Sequence, residues 1–326
     1  MKVYAAGFNA WNQLELGREP NTAEPEDIYT FKEIIEGNAI ETPVSRLTYT
    51  IVRVDGRLVV AGHGLPDAAD DIGLAYTTAV NGIGEILRAE PSHNNGKQVH
   101  TESSRFSLVK YQSLEACKAH DPVQSWPCRQ PVKQVAAFDV GFVILYADGS
   151  VATLGDPRYE DCLGREVDDA NPADAPCGVS ELNDLGEPVR KVAAGGYMVA
   201  ALTTSGGLYV WGMGSVGDQN QSRAIPDICG IPNYVEVDGD ADIEDVAVGT
   251  SHAIVLTGDA RLLVIGDNKN GQLGLGMDDA ACVSSWTRLH FSFPNLYHPV
   301  GVAAGPRSSF VIMSAQNRRE SLPQEQ

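Results

Sequence analysis

The chain has 326 residues, with 43 acidic side chains against 24 basic ones and a formal net charge of -19. That surplus of carboxylate repels nucleic-acid phosphates and anionic lipid, so direct nucleic-acid or membrane binding is not expected. No apolar run reaches membrane-spanning length and the opening MKVYAAGFNAWNQ meets polar residues too early for a secretory signal, so the expectation is a soluble protein of the cytoplasm, with the nucleus as a second location.

From the N-terminus, VYAAGFNAWNQLELG (3–17) is an apolar run closed by Gly7 and followed by a loop ending in Leu-Gly. TFKEIIEG (30–37) has a capping residue at Thr30 and a stop at Gly37, which predicts a short helix. TYTIVRVDGRLVVAGHG (48–64) places Gly62 55 residues after Gly7. Beyond it, AVNGIGEILRAE (79–90) and SSRFSLVKYQS (103–113) read as short strands, and SLEACKAHD, from Ser113, as a second short helix.

From Val135 the pattern becomes regular. VAAFDVGFVIL, VAAGGYMVAAL, VAVGTSHAIVL and VAAGPRSSFVI start at Val135, Val192, Val246 and Val302, 54 to 57 residues apart. The first three are followed by a turn signal (YADGS, TTSGG, TGDAR) and a second apolar run ending in glycine (VATLG, LYVWG, LLVIG). Near-continuous apolar runs bounded by Gly, Asp and Ser predict buried antiparallel strands joined by hairpins. Such units cannot bury both faces alone, and side-by-side radial packing solves this. The N-terminal segment matches LVIGDNKNGQLGLG (263–276), so it holds only the second half of a unit, while the C-terminal VAAGPRSSFVIM holds only the first. The halves complement each other, which predicts a closed ring whose chain ends share one blade and leave no open sheet edge.

Gly212, Gly214 and Gly217 in LYVWGMGSVGD spell G-x-G-x-x-G after a strand, the pattern of a dinucleotide loop. A turn-rich, proline-containing stretch follows instead of the helix such a loop needs beneath the pyrophosphate. Gly212 aligns with Gly266 and Gly217 with Gly271, so tight turns or close backbone approach explain these glycines better, and no cofactor is expected.

These motifs, above all VAAGGYMVAALTTSGGLYVWG, VAVGTSHAIVL, GDNKNGQLGLG and GFNAWNQLELG, resemble the regulator of chromosome condensation repeat, over residues 1–17 and 132–313. The resemblance implies an all-β propeller, usually of seven blades. From Gly62 to Gly155 there are 93 residues, too many for one period and too few for two, so six regular blades or seven with compressed ones both fit. Residues 1–314 are expected to form one propeller domain, and 315–326 a polar, disordered tail.

The six cysteines include no C-x-x-C pair, so no zinc site of local spacing is expected and the thiols are read as reduced. Cys177, Cys229 and Cys282 occupy comparable places in successive units, too far apart for disulfides. VDGDADIED gathers Asp238, Asp240, Asp242, Glu244 and Asp245 but lacks the glycine turn and distant glutamate of a calcium loop, so it reads as a solvated acidic loop. With the acids of 156–187 it predicts an acidic surface that steers a basic partner. His252 sits where the family repeat often has a packed histidine, and Trp211 reads as core. Asn220 opens a glycosylation sequon that has no role without secretion.

Loops after the Val-Ala-Ala-Gly strand and after the Trp-Gly strand emerge on one face of the ring. That face gathers Trp11, His63, Phe138, Tyr197, Met213 and Arg307, the residue types enriched at interface centres, as candidate partner-binding residues. No catalytic constellation emerges, and a non-enzymatic binding function is expected. A chain that is little more than a propeller resembles the small fungal RCC-type proteins known as alpha-tubulin suppressor or killer-toxin insensitivity proteins. That resemblance implies a heterodimer with a small metal-binding CSL-type zinc-finger protein that serves diphthamide synthesis and Elongator-dependent modification of tRNA wobble uridine. The alternatives are a guanine-nucleotide exchange factor for a Ran-like GTPase and a scaffold subunit without catalytic consequence.

Overall fold

A strand presents successive side chains to opposite sides, and the repeated Val-Ala pair uses both. Val135, Val192, Val246 and Val302 pack toward the preceding sheet, while Ala136, Ala193, Ala247 and Ala303 pack toward the following one. Each sheet is thereby buried on both faces, and the core is a series of layers between neighbouring sheets.

The computed structural model describes residues 1–17, 24–64, 77–91, 106–213, 225–226, 228–277, 280–290 and 296–315. Among these the strands form six sheets. The closing blade runs, from the axis outward, Tyr297–Gly305, Ser308–Ala315, Lys2–Gly7 and Ile28–Glu36. The second blade has three strands, Val44–Ser45, Tyr49–Val54 and Arg57–Gly62. The third has Thr78–Val80, Ile86–Pro91, Phe106–Tyr111 and Gln124–Pro127. The fourth has Val132–Phe138, Gly141–Tyr146, Val151–Gly155 and Cys177–Gly178. The fifth has Val189–Gly195, Met198–Thr203, Leu208–Gly212 and Asn233–Tyr234. The sixth has Ile243–Val248, His252–Thr257, Leu262–Asp267 and Cys282–Arg288. The six innermost strands line an axial cavity of about 250 Å³.

Ring closure is as the partial repeats predict. Lys2–Gly7 pairs antiparallel with Ser308–Ala315 on one side and Ile28–Glu36 on the other. The blade count settles at six, the lower of the two counts. The stretch from Gly62 to Gly155 does hold two periods: the third strands of the third and fourth blades end at Tyr111 and Gly155, in units shorter than those elsewhere. Four residues link Pro127 to Val132, and that short link absorbs part of the missing length.

The helix expected at 30–37 is instead the outer strand of the closing blade. Phe31 and Ile34 are both buried, in the core layers on opposite faces of this blade, and the register against Lys2–Gly7 slips between Val3 and Tyr4. A strand buried on both faces can carry apolar groups three residues apart, a spacing that mimics a helix in the sequence. The second helix does form, at Leu114–Lys118, where the Ser113 hydroxyl accepts from the Ala116 amide at 3.2 Å. All six thiols are free.

Side chains latch inner strands of neighbouring blades. Gln134 Nε2 donates to the Val192 carbonyl at 2.7 Å and its Oε1 accepts from the Val192 amide at 3.1 Å. One register on, Lys191 pairs with Asp245, whose other oxygen accepts from the Val302 amide at 2.9 Å. The acids of the VDGDADIED loop diverge to separate partners: Asp238 to Arg261, Asp240 to the Tyr234 hydroxyl, Glu244 to Arg190.

The opening glycine of the G-x-G-x-x-G pattern has a structural explanation, while Gly214 and Gly217 lie outside the described residues. Gly7, Gly62, Gly212 and Gly266 end equivalent third strands with φ of 124°, 95°, 139° and 110°. A β-carbon on Gly212 would lie 2.0 Å from the Tyr197 carbonyl oxygen, the turn of the same blade. Gly212→Ala therefore combines backbone strain with a clash and is expected to cost about 3 kcal/mol. Gly239→Ala, at φ 75° with open space around it, is expected to cost about 1 kcal/mol. Urea midpoints of the two variants test this, and equal losses would overturn the account.

Candidate partner-binding face

In the five blades with a third-strand glycine, the next residue donates its amide to the turn between the first two strands. Phe8 bonds Arg307 at 2.9 Å, His63 bonds Thr48 at 2.8 Å, Asp156 bonds Val140 at 3.0 Å, Met213 bonds Tyr197 at 3.0 Å and Asp267 bonds Ser251 at 2.8 Å. Inner turns and post-glycine loops are thus stitched together on one side of the ring, the upper face. A cavity of about 340 Å³ opens there, rimmed by Arg46, Gly82, Asp139, Gly196, Thr250 and Pro306. Burial raises the Asp139 carboxyl above the ordinary carboxylate range.

The loops after Gly7 and Gly266 adopt the same conformation, as their shared residues require. Asn9 Oδ1 accepts from the Leu14 amide at 2.9 Å, and Asn268 Oδ1 from Leu273 at 3.0 Å. Gln13 Oε1 accepts from the Trp11 amide at 2.9 Å, and Gln272 Oε1 from Asn270 at 2.9 Å. Asn9, Gln13, Asn268 and Gln272 are buried with Leu14 and Leu273. Their amides replace the backbone partners that an inward-folded loop lacks. Trp11 and Asn270 therefore occupy equivalent positions with different uses. Asn270 Nδ2 donates to Asp27 Oδ2 at 2.8 Å. Trp11 is 45% exposed, and its ring lies in an edge arrangement with that of His63, at 6.1 Å between centroids.

The six candidate residues divide into two groups. Trp11, His63 and Arg307 lie on the closing and second blades, with the Arg307 guanidinium 6.0 Å from the Phe8 ring. Tyr197 and Met213 lie on the fifth blade, partly buried against the core layer it shares with the fourth, and Tyr197 stacks on Tyr159 of the fourth blade at 5.4 Å. Phe138 is corrected: it is 2% exposed, held in that same layer, and offers no surface. Phe138 is the last paired residue of the fourth blade's inner strand, opposite Gly141, at the place that Gly195 and Gly305 hold in the fifth and closing blades, so its ring belongs to the packed sheet and not to the turn. Trp211 is fully buried as expected, its indole donating to the Cys162 carbonyl at 3.1 Å. Arg46, Leu47 and Ile83 also stand on this face and carry no motif in the sequence. They sit in the two blades where the repeat is too degenerate to align, and only the Gly62 register pointed to the turn that holds Leu47.

Beyond the fourth blade's glycine, Arg165 orders the acidic loop. It is buried, and its guanidinium donates to the carbonyls of Asn171 and Pro172 at 2.9 Å each and to Thr153. This leaves Glu160, Asp161, Glu166, Asp168, Asp169 and Asp174 exposed around it. No group of three or more His, Cys, Asp or Glu able to hold a metal occurs among the described residues. No helix among them is long and apolar enough to cross a membrane.

The regulator of chromosome condensation (RCC1) repeat model matches residues 189–218 and 243–272. The mouse regulator of chromosome condensation is 32% identical over 155 residues, which is 45% of this chain and 34% of that protein. Human E3 ubiquitin-protein ligase HERC2 is 25% identical over 255 residues, 70% of this chain but 5% of that one. The chain thus spans a minor part of these relatives. The crystal structure of Prp20p from Saccharomyces cerevisiae, a protein described with binding properties to Gsp1p and histones, superposes with a TM-score of 0.63 at 14% identity, covering 97% of this chain and 92% of that one. Sheet order, repeat motifs and these likenesses agree on a β-propeller, with six blades among the described residues, that is similar to the proteins built of RCC1 repeats.

Two predictions follow from the packed polar groups. His252 is fully buried, its Nε2–H donates to the Ser308 carbonyl at 3.2 Å, and its Nδ1 has no partner among the described residues. Desolvation pushes its pKa down to about 4, so the folded state keeps the ring neutral while the unfolded chain protonates it near pH 6.5. Stability is therefore full above pH 6.5 and falls as pH drops toward 4, by about 3 kcal/mol from this group. Urea midpoints across that range should show His252→Gln losing this dependence; parallel curves would refute it. Asn270→Ala should cost about 1 kcal/mol through its lost bond, whereas Trp11→Ala should stay within about 0.5 kcal/mol. A Trp11→Ala loss as large as that of Asn270→Ala would assign Trp11 to the fold instead.

Proposed function

We propose that this propeller is a non-catalytic protein-binding module whose partner docks on the upper face. The observation that carries this reading is Trp11, a large aromatic held out on a loop whose polar side chains are buried and bonded. Aromatic anchors on rigid supports bind at low entropic cost and dominate interface energetics. Fold by itself does not assign a partner.

The partner we propose first is the small metal-binding CSL-type zinc-finger protein, in a heterodimer serving diphthamide biosynthesis and Elongator-dependent tRNA modification. Its support is the resemblance of a propeller-dominated chain to the small fungal RCC-type proteins, and the propeller would act by holding and shielding that metal protein. The second reading, exchange on a Ran-like GTPase, draws support from the mouse regulator's 32% identity and from the Gsp1p binding named for Prp20p.

Affinity purification of the tagged chain from its own cells, with mass spectrometry and metal analysis of the eluate, separates these. The expected result is a small zinc or iron protein near one-to-one, lost with Trp11→Ala. Recovery of a Ran-like GTPase that GTP releases, together with accelerated GDP release from it, would overturn the first partner and establish the second.

A further inference from the structure

The upper face is chemically two-sided. On the closing and second blades, Trp11 and Leu47 are each 45% exposed, and Ile83 of the adjacent third blade is 64% exposed. These apolar groups are joined by short bonds: Gln13 Nε2 donates to the carbonyls of Phe8 at 2.8 Å and Leu47 at 3.1 Å. The amide of His63 reaches Thr48, and that of Phe8 reaches Arg307. Across the axis, the fourth blade presents Asp139 at the cavity rim and the exposed acids Glu160 and Asp161.

The cations on the apolar side are unusual for this chain. Carboxylates outnumber cations 43 to 24, yet Arg307 has no carboxylate partner among the described residues, only the Phe8 ring. Arg46 likewise bonds only the Val80 carbonyl there, at 3.2 Å. Neither arginine is needed to neutralise a neighbour, and Trp11 lacks the structural task that Asn270 performs in the sister loop. The backbone carrying them is fixed, with Pro306 accepting from Thr250 at 3.0 Å and Arg307 accepting from Phe8.

We infer that Trp11, Leu47, His63 and Arg307 form a preorganised hot spot, and that its occupant is a protein segment presenting a carboxylate beside an apolar side chain. The inference rests on the upper-face reading and adds the chemistry of the occupant. A guanidinium held over an aromatic ring, as Arg307 is at 6.0 Å from Phe8, retains its outward donors for a carboxylate, and the adjoining apolar surface takes the neighbouring side chain. The acidic fourth blade repels the same segment, so the face fixes orientation as well as location.

Selection of a random peptide phage library on the immobilised full chain tests this, followed by affinity measurement on synthetic versions of the selected peptides. Enrichment of Asp or Glu next to Phe, Leu or Met is expected, with Arg307→Glu and Trp11→Ala each weakening binding about tenfold or more. Substituting Lys for the peptide's carboxylates should restore binding to Arg307→Glu and not to the parent chain. Should Arg307→Glu fail to fold by its urea midpoint, Arg307→Gln replaces it. Selection of basic peptides, or of none that depend on both Arg307 and Trp11, overturns the inference. The parent reading is tested separately, by a photo-crosslinking residue at Tyr159 and at Leu47 with the purified partner. Crosslinks at Tyr159 alone keep the upper face and refute the hot spot, while none at either position refutes the face itself.

Discussion

Everything in this molecule depends on the pairing of Lys2–Gly7 between Ser308–Ala315 and Ile28–Glu36. A blade whose two faces are apolar has no stable existence without neighbours, and a row of such blades would end in two exposed apolar faces. Joining the chain ends in one sheet removes both. It also couples residues some three hundred positions apart, so the layers of core between blades gain or lose their neighbours together. The latches between inner strands, Gln134 to Val192 and Asp245 to Val302, hold the blades in radial register and leave the upper turns in fixed relation.

That fixed relation is what turns loops into a site. Each third-strand glycine lets its chain pass so close to the inner turn that the following residue bonds the turn's carbonyl, and no side chain would fit in the gap. Both sets of loops consequently stand at defined heights on the upper face. The Asn, Gln and Leu of the 9–16 and 268–275 loops add an internal scaffold of buried bonds. Upon one such scaffold the chain places Asn270, turned to hold Asp27, and upon the other Trp11, turned to solvent. Equal backbone geometry with unequal side-chain use is what supports the recognition role proposed for Trp11.

Acidity is likewise divided by structure. The abundant carboxylates of the fourth to sixth blades do not pool into a cation site. Several are consumed individually by Arg190, Lys191 and Arg261, while those held around the buried Arg165 stay exposed. A partner approaching this face meets repulsion or attraction according to its own polarity, which governs orientation and encounter rate more than final affinity.

The Val-Ala-Ala repeats, the turn signals and the two half-units at the ends determined by themselves a ring of antiparallel blades with shared termini, because two-residue alternation and glycine spacing are local properties written along the chain. They also placed His63, Tyr197 and Arg307 on one face through their offset from those glycines. What only the tertiary structure decided were the features set by contacts between distant segments. Pairing with Lys2–Gly7 and burial on both faces made a strand of a segment with helical spacing, and shortened links fitted two periods into 93 residues, giving six blades. Phe138 went inward because it is the last paired residue of its strand and packs into the layer between the fourth and fifth blades, and Leu47 and Ile83 came outward from blades too degenerate to align. Whether a loop aromatic is core or surface depends on what packs against it from another blade, and that information exists only once the ring is closed.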